Sequence, residues 1–365
     1  MGYRAVRGVI RLLLWLFYRR VDVVGAERIP PHGPLLVAAN HHNSVVDAML
    51  VLGMFPRRVT VLANAPLFRH PFIGPFLRIM GAVPVHRRAE AGDDPRKNEA
   101  MFATVVAALC AGGAVLIFPE GRTQPRPTLL PLRTGAARIL LGVEADGPRH
   151  GTVLLPVGLV FERPGTFRDA SAIVAIGMPL AIDDCVAEYA SAPEAAGRRL
   201  TERLTEALRA EIIEAEDQHT VELLGVLEGV VRRGAGRPAP ADPGESLAWR
   251  REVMRAAHDL ATRAPDRVTE FRQRLERYRE RMEETGLSDE QLGRPYTAGV
   301  VLRWVVTNFA SLALSLPLAI VGMAAHAAPY RLTGVVVRRL RATEEEEATD
   351  KMAVGLVLYP VCWAV

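Results

Sequence analysis

The sequence predicts an α/β fold, a mixed and mostly parallel sheet flanked by helices, and three observations predict it. Short apolar runs alternate with helical stretches from Val21 to about Pro179. Those runs are apolar almost throughout, as suits a sheet covered on both faces rather than one with a wet side. A Gly/Pro-rich segment, GAGRPAPADPGES, then closes the pattern and marks a linker.

The runs VDVVG, PLLVAAN, RVTVLAN, AVLIFP, TVLLPVGLVFE and SAIVAIGMPL read as strands, and GAVPVHRR ends a further one. Between them, Val46 to Phe55, Pro71 to Met80, Asn98 to Ala111 and Leu132 to Gly142 have helical composition and spacing. Pro193 to Asp217 follows as an amphipathic helix, and a further helical stretch reaches Arg233. From Leu247 to Glu284 the chain is charged, with Val268, Phe271, Leu275, Tyr278 and Met282 at steps of three and four. That narrow stripe predicts a helical hairpin on the main domain, and no chemistry is assigned to it.

Membrane contact is expected at both ends. Gly2 to Arg20 carries Leu12, Trp15, Leu16 and Phe17 among Arg4, Arg7, Arg11, Arg19 and Arg20. It is too short and too charged to span and has no A-x-A cleavage pattern, so it reads as a retained interfacial helix on an anionic surface. Trp304 to Ala328 has no Lys, Arg, Asp or Glu and matches a bilayer core of roughly 30 Å, with Pro317 expected to kink it. Met352 to Val365 is a second apolar run, about two-thirds of a span, so the pair is read as a re-entrant hairpin or as a sequence cut short. Four regions follow: an interface helix over 1–20, a main domain over 21–216, a charged helical region over 217–296 and a hydrophobic membrane region over 297–365.

Composition narrows the function classes. Apolar residues make up 49% of the 365, and the mean hydropathy is +0.11, high for a soluble enzyme. The net charge of +4 is almost wholly arginine, since Lys97 and Lys351 are the sole lysines. Those arginines are scattered without interleaved aromatics, which disfavours nucleic acid. Cys110, Cys185 and Cys362 are isolated, so neither a disulfide framework nor a metal site is indicated.

Chemistry concentrates in ANHHNSVVDAML, where an apolar strand turns into a helix. Ligands of open α/β sheets gather beyond the carboxyl ends of the strands. A histidine beside Asp47 there is suited to lift a proton from an alcohol while the carboxylate fixes the imidazole tautomer. There is no GxSxG elbow, so no covalent acyl-enzyme is demanded. FPEGRT, directly after AVLIF, offers Glu120, a glycine for close backbone approach and an arginine suited to bidentate phosphate contact.

In this order ANHHNSVVD, GAVPVHRR, FPEGRT and LLPVGL resemble the four blocks of the glycerolipid acyltransferase superfamily, over about Val21 to Leu180. The surrounding text looks like its glycerol-3-phosphate and dihydroxyacetone phosphate branch. The resemblance implies direct transfer of a fatty acyl group from acyl-CoA or acyl carrier protein, as substrate rather than cofactor, to a phosphorylated glycerol acceptor. It implies His41 or His42 as base with Asp47 as its orienter. It further implies that Arg87, Glu120, Gly121 and Arg122 hold the acceptor. His42 has the four-residue spacing to Asp47, whereas His41 follows Asn40 and fits NHxNSxxD, to which the reading leans. Arg133 is a further phosphate candidate and His86 a possible substrate contact. The expected setting is the membrane surface, on the cytoplasmic face. Lysophosphatidate acylation, a lipid carrier without turnover, and a hydrolase are the competing readings.

Overall fold

The computed structural model describes residues 2–70, 73–85, 95–145, 148–236, 242–285, 297–339 and 347–364. Two compact units divide the chain, Met1–Glu222 with Pro240–Ala257, and Leu223–Ala239 with His258–Val365.

The first unit is built on a seven-stranded sheet. Its strands are β1 (Arg20–Val24), β2 (Leu35–Ala39), β3 (Val59–Asn64), β4 (Val83–Val85), β5 (Ala114–Ile117), β6 (Val153–Glu162) and β7 (Ser171–Ile176). They lie in the order β1-β7-β6-β2-β5-β3-β4, and every neighbouring pair is parallel except β6 and β7. β2 is buried at every residue, and eight of the ten residues of β6 are buried, as strands covered on both faces must be. Helices α1 (Gly2–Phe17), α2 (Ser44–Met54), α3 (Ile73–Met80), α4 (Pro95–Cys110), α5 (Gly135–Ala145), α6 (Asp183–Tyr189) and α7 (Pro193–Glu211) supply that cover. α7 buries Leu200, Leu204 and Leu208, the i, i+4, i+8 stripe of an amphipathic helix.

Parallel pairing explains how motifs far apart in sequence meet. β2 and β5 are neighbours, with Ala38 opposite Ile117, so the segments leaving their carboxyl ends, Asn40 to Asp47 and Phe118 to Thr123, emerge side by side. β6 pairs with β2 on its other side, and Gly158 there accepts close approach, since a Cβ would stand 2.3 Å from the Glu211 carbonyl at the end of α7. This packing accounts for the glycine of LLPVGL. β4, parallel to β3, ends at the same edge, but His86, Arg87 and Arg88 lie outside the described residues.

α8 (Gln218–Gly234), α9 (Pro243–Arg263) and α10 (Pro265–Thr285) follow. The hairpin expected between Leu247 and Glu284 is not formed. Ala264 alone separates α9 from α10, and helical bonds run across it from Ala264 N to Leu260 O and from Val268 N to Ala264 O, leaving no reversing turn. In the second unit, α11 (Ala298–Arg339) runs through Pro317 and Pro329, and α12 (Glu347–Ala364) packs on it. His326 meets Tyr359 at 5.7 Å and Trp363 at 5.2 Å between ring centres. Val301–Arg339 is long and apolar enough to cross a membrane, and its most apolar stretch buries nothing against the protein.

Candidate active site

The turn between β2 and α2 begins with Asn40, whose side chain acts as an extra rung of the sheet. Its Nδ2 donates to the Leu159 carbonyl at 3.0 Å and its Oδ1 accepts from the Leu159 amide at 2.6 Å, tying the end of β2 to β6.

The two histidines that follow point to different partners. His41 Nδ1 lies 2.8 Å from Asp47 Oδ2, and its ring stacks on Phe118 at 4.1 Å and 13°. A carboxylate oxygen accepts, so Nδ1 carries the proton and Nε2 is left with a free lone pair, the arrangement a general base requires. His42 turns away. Its Nδ1 faces the Arg126 carbonyl at 3.2 Å, its ring stacks on Phe161 at 5.4 Å, and burial pushes its pKa below the usual histidine range. It is a neutral wall of the site.

Asp47 sits in the first turn of α2 and is fully buried. Its Oδ2 also accepts the amides of His42 and Asn43, both at 2.8 Å, so one oxygen caps the helix start and fixes the imidazole. Ser44 makes this closure possible by adopting a left-handed φ of 47°. Behind the carboxylate, Asp47 Oδ1, Asn43 Nδ2 and Tyr18 Oη are buried without hydrogen bonds among the described residues.

Glu120 braces the same turn from β5. Oε1 accepts the His41 amide at 2.7 Å and Oε2 the Leu130 amide at 3.0 Å, and the residue is 4% exposed. Both oxygens are thus engaged by the protein, and Glu120 holds His41 in place. Burial pushes its carboxyl up from the usual 4.5 to about 7, against the pull of the two amides. The folded state therefore keeps this proton to higher pH than the unfolded chain, and the stability present below pH 4.5 is lost as pH rises to about 7. The loss is of order 3 kcal/mol by linkage. Thermal unfolding of wild type and Glu120→Gln across pH 4.5 to 7 checks this, because Gln has no proton to lose. The wild-type melting temperature should fall by several degrees relative to the variant, and a constant difference would remove the assignment.

Gly121 and Arg122 occupy the turn after Glu120. Gly121 has φ 71°, and a Cβ there would stand 2.8 Å from Arg133 Nε, whose chain crosses the glycine. Arg133 is held there by its amide, which donates to the Pro119 carbonyl at 2.8 Å. Gly121→Ala should cost about 1–2 kcal/mol of stability for the left-handed backbone alone and displace Arg133. Melting temperature together with the KM for a phosphorylated acceptor reads both effects. Arg122, Arg126 and Arg133 are exposed and make no ion pair among the described residues, so three guanidinium groups remain available to an anion.

These elements surround a pocket open to solvent. His41, His42, Glu120 and Arg126 lie on it, with an apolar wall of Leu159, Val160, Phe161, Ile212, Ile213 and Val221, and with Gln218. Of the expected site residues His41, His42 and Glu120 line the pocket, Asp47 is bonded to His41, Gly121 and Arg122 follow Glu120 in the same turn, and Arg87 lies outside the described residues. Arg126, Phe161 and Gln218 were not legible as site residues. Arg126 sits three residues beyond FPEGRT with no distinguishing pattern, and the other two arrive from remote elements. Among the described residues no group of three His, Cys, Asp or Glu side chains is placed to hold a metal ion.

This geometry coincides with a family match: residues 20–160 fit the model described as Acyltransferase. The matched segment, 141 of the 365 residues, is similar to an acyltransferase domain. It contains both histidines, Asp47 and the Glu120 turn. Over 58% of this chain, an uncharacterised acyltransferase of Schizosaccharomyces pombe is 24% identical, with 44% of the relative covered. The 1-acyl-sn-glycerol-3-phosphate acyltransferase of Borreliella burgdorferi is 26% identical over 44% of this chain and 58% of its own length. Glycerol-3-phosphate O-acyltransferase 2 of Saccharomyces cerevisiae is 32% identical over 34% of this chain and 17% of its own. The chain thus spans less than two thirds of each of these relatives. A solved 1-acyl-sn-glycerophosphate acyltransferase from Thermotoga maritima aligns at 22% identity and TM-score 0.40, covering 57% of this chain and 80% of that one.

Proposed function

We propose that the protein is a membrane-associated O-acyltransferase that moves a fatty acyl group from acyl-CoA or acyl carrier protein to a hydroxyl of glycerol-3-phosphate, at the cytoplasmic face. The observation that carries this reading is the His41 imidazole, held through Nδ1 by a buried carboxylate 2.8 Å away and free at Nε2. His41 Nε2 takes the proton of the acceptor hydroxyl as its oxygen attacks the thioester carbonyl. The tetrahedral intermediate collapses with cleavage of the carbon–sulfur bond, and the imidazolium returns its proton to the departing thiolate. Asp47 stabilises the imidazolium without itself accepting the proton.

The acceptor's phosphate is assigned to Arg122, Arg126 and Arg133, together with Arg87 by its place in the second motif. Charge-assisted hydrogen bonds from several guanidinium groups fix which hydroxyl meets the base. The apolar wall from Leu159 to Phe161 with Ile212, Ile213 and Val221 suits an acyl chain beside the thioester. The same wall favours a second reading, in which lysophosphatidate is the acceptor and lays its own chain there.

The test uses the full chain in phospholipid vesicles, with radiolabelled acyl-CoA or acyl carrier protein and one acceptor at a time. Label in lysophosphatidate with glycerol-3-phosphate supports the first reading, and label in phosphatidate with lysophosphatidate the second. Free fatty acid as the sole labelled product would overturn both.

A further inference from the structure

The outer face of α1 is apolar and exposed. Leu12 is 52% exposed, Trp15 65% and Leu16 41%, while Ile10, Leu14 and Phe17 on the opposite face are buried. The sequence alone places this helix on a lipid surface, but it gives no reason to place anything else there. The turn between β6 and β7, Arg163 to Ala170, stands against the end of the helix. Phe167, at its tip, is 63% exposed and meets Phe17 edge to face at 5.9 Å. Arg168 locks the two together: its amide donates to the Phe17 carbonyl at 2.7 Å, its Nη1 donates to the Trp15 carbonyl at 2.9 Å, and its guanidinium lies 5.6 Å from the Trp15 ring centre. It thereby caps two carbonyls that the end of the helix leaves unbonded. The turn keeps its shape through left-handed backbone at Arg163, Gly165 and Arg168 and the Arg163–Asp169 ion pair at 2.5 Å.

We infer that, within the first unit, the β6–β7 turn joins α1 as a membrane-contacting element, with Phe167 entering an anionic lipid surface beside Trp15 and Leu12 as one rigid platform. Charge decides the occupant. No Asp or Glu occurs before Asp22, and the exposed Arg4 and Arg11 border the apolar face without an ion pair among the described residues. Acidic headgroups complement that border, whereas a second copy packed through the same face about a twofold axis would set arginine against arginine. Aromatic rings at headgroup depth flanked by arginine are the usual signature of an interfacial anchor. Two contact points on different elements also fix the tilt of the unit, which one helix rolling about its axis does not.

Depth-dependent quenching on the full chain tests this without reference to turnover, so its failure is distinct from failure of the acyltransferase reading. With Cys110, Cys185 and Cys362 replaced by serine, single cysteines are placed by Phe167→Cys, Thr166→Cys, Leu12→Cys and Glu202→Cys and labelled with an environment-sensitive fluorophore. Vesicles contain phosphatidylcholine and phosphatidylglycerol with a spin-labelled lipid. Labels at 166, 167 and 12 should be quenched at least twofold more than that at 202, and Arg168→Ala should halve the quenching at 167 while sparing 12. Thr166 reports on the turn should the Phe167 change disturb folding. Quenching at 12 with labels at 166 and 167 as accessible as 202, or cross-linking between copies through position 167, would overturn the proposal.

Discussion

Replacing His41 by alanine is expected to lower kcat by about a thousandfold, whereas His42→Asn should stay within about tenfold of wild type. General-base catalysis contributes 10²–10⁴-fold, and the imidazole with a carboxylate on Nδ1 and a free Nε2 is that of His41. His42 spends its Nδ1 on the Arg126 carbonyl and its ring face on Phe161, so its loss perturbs the pocket wall and not the proton transfer. Steady-state assays of both variants, with melting temperatures to show that each is folded, read the contrast. Equal losses would mean that the rings share the task, and a reversed order would exchange their roles.

The second large effect is expected at Asp47. Asp47→Asn keeps the shape, but because Oδ2 alone accepts from His41 Nδ1 and from the His42 and Asn43 amides, its NH2 group falls either among those donors or at the buried, unbonded Oδ1 position. An asparagine oriented to accept those amides holds no negative charge for the imidazolium, and one oriented toward Nδ1 as donor enforces the wrong tautomer. A fall in kcat of about 10³–10⁴-fold follows by analogy with the serine-protease aspartate. Stability should fall by about 1–3 kcal/mol, the cost of one buried donor left unpaired. The effect on turnover should exceed that of Glu120→Gln, since Glu120 touches only backbone amides.

Much of this site was legible in the sequence because parallel sheets convert strand order into proximity. ANHHNSVVD and FPEGRT each follow an apolar run, and once β2 and β5 are neighbours their carboxyl-end turns must adjoin. The ranking of His41 and His42 was not fixed by spacing, which offers both a route to Asp47. The folded segment, with Ser44 at positive φ, sets His41 Nδ1 on Asp47 and His42 Nδ1 on the Arg126 carbonyl, and that contrast supports the proposal of His41. Glu120 was read from its motif as an acceptor contact, and its hydrogen bonds could not be read from the sequence for a similar reason. Burial between two loops sets one of its oxygens on the main-chain amide of His41 and the other on that of Leu130. Phe161 and Gln218 were invisible because tertiary packing brings them from β6 and α8, and no local pattern records that. The hairpin was expected from a narrow apolar stripe, which does not specify a turn; proline is tolerated in the first turn of a helix, and Ala264 carries the helical bonds across from α9 to α10.

The pH dependence of kcat/KM for acyl transfer to glycerol-3-phosphate, measured in wild type and in His41→Ala, bears most directly on the proton transfer itself. If His41 is the base, wild-type activity declines tenfold per pH unit on the acid side, and the residual activity of the variant shows no such limb. An acid limb of the same slope and position in both proteins would assign the proton to another group and contradict the account.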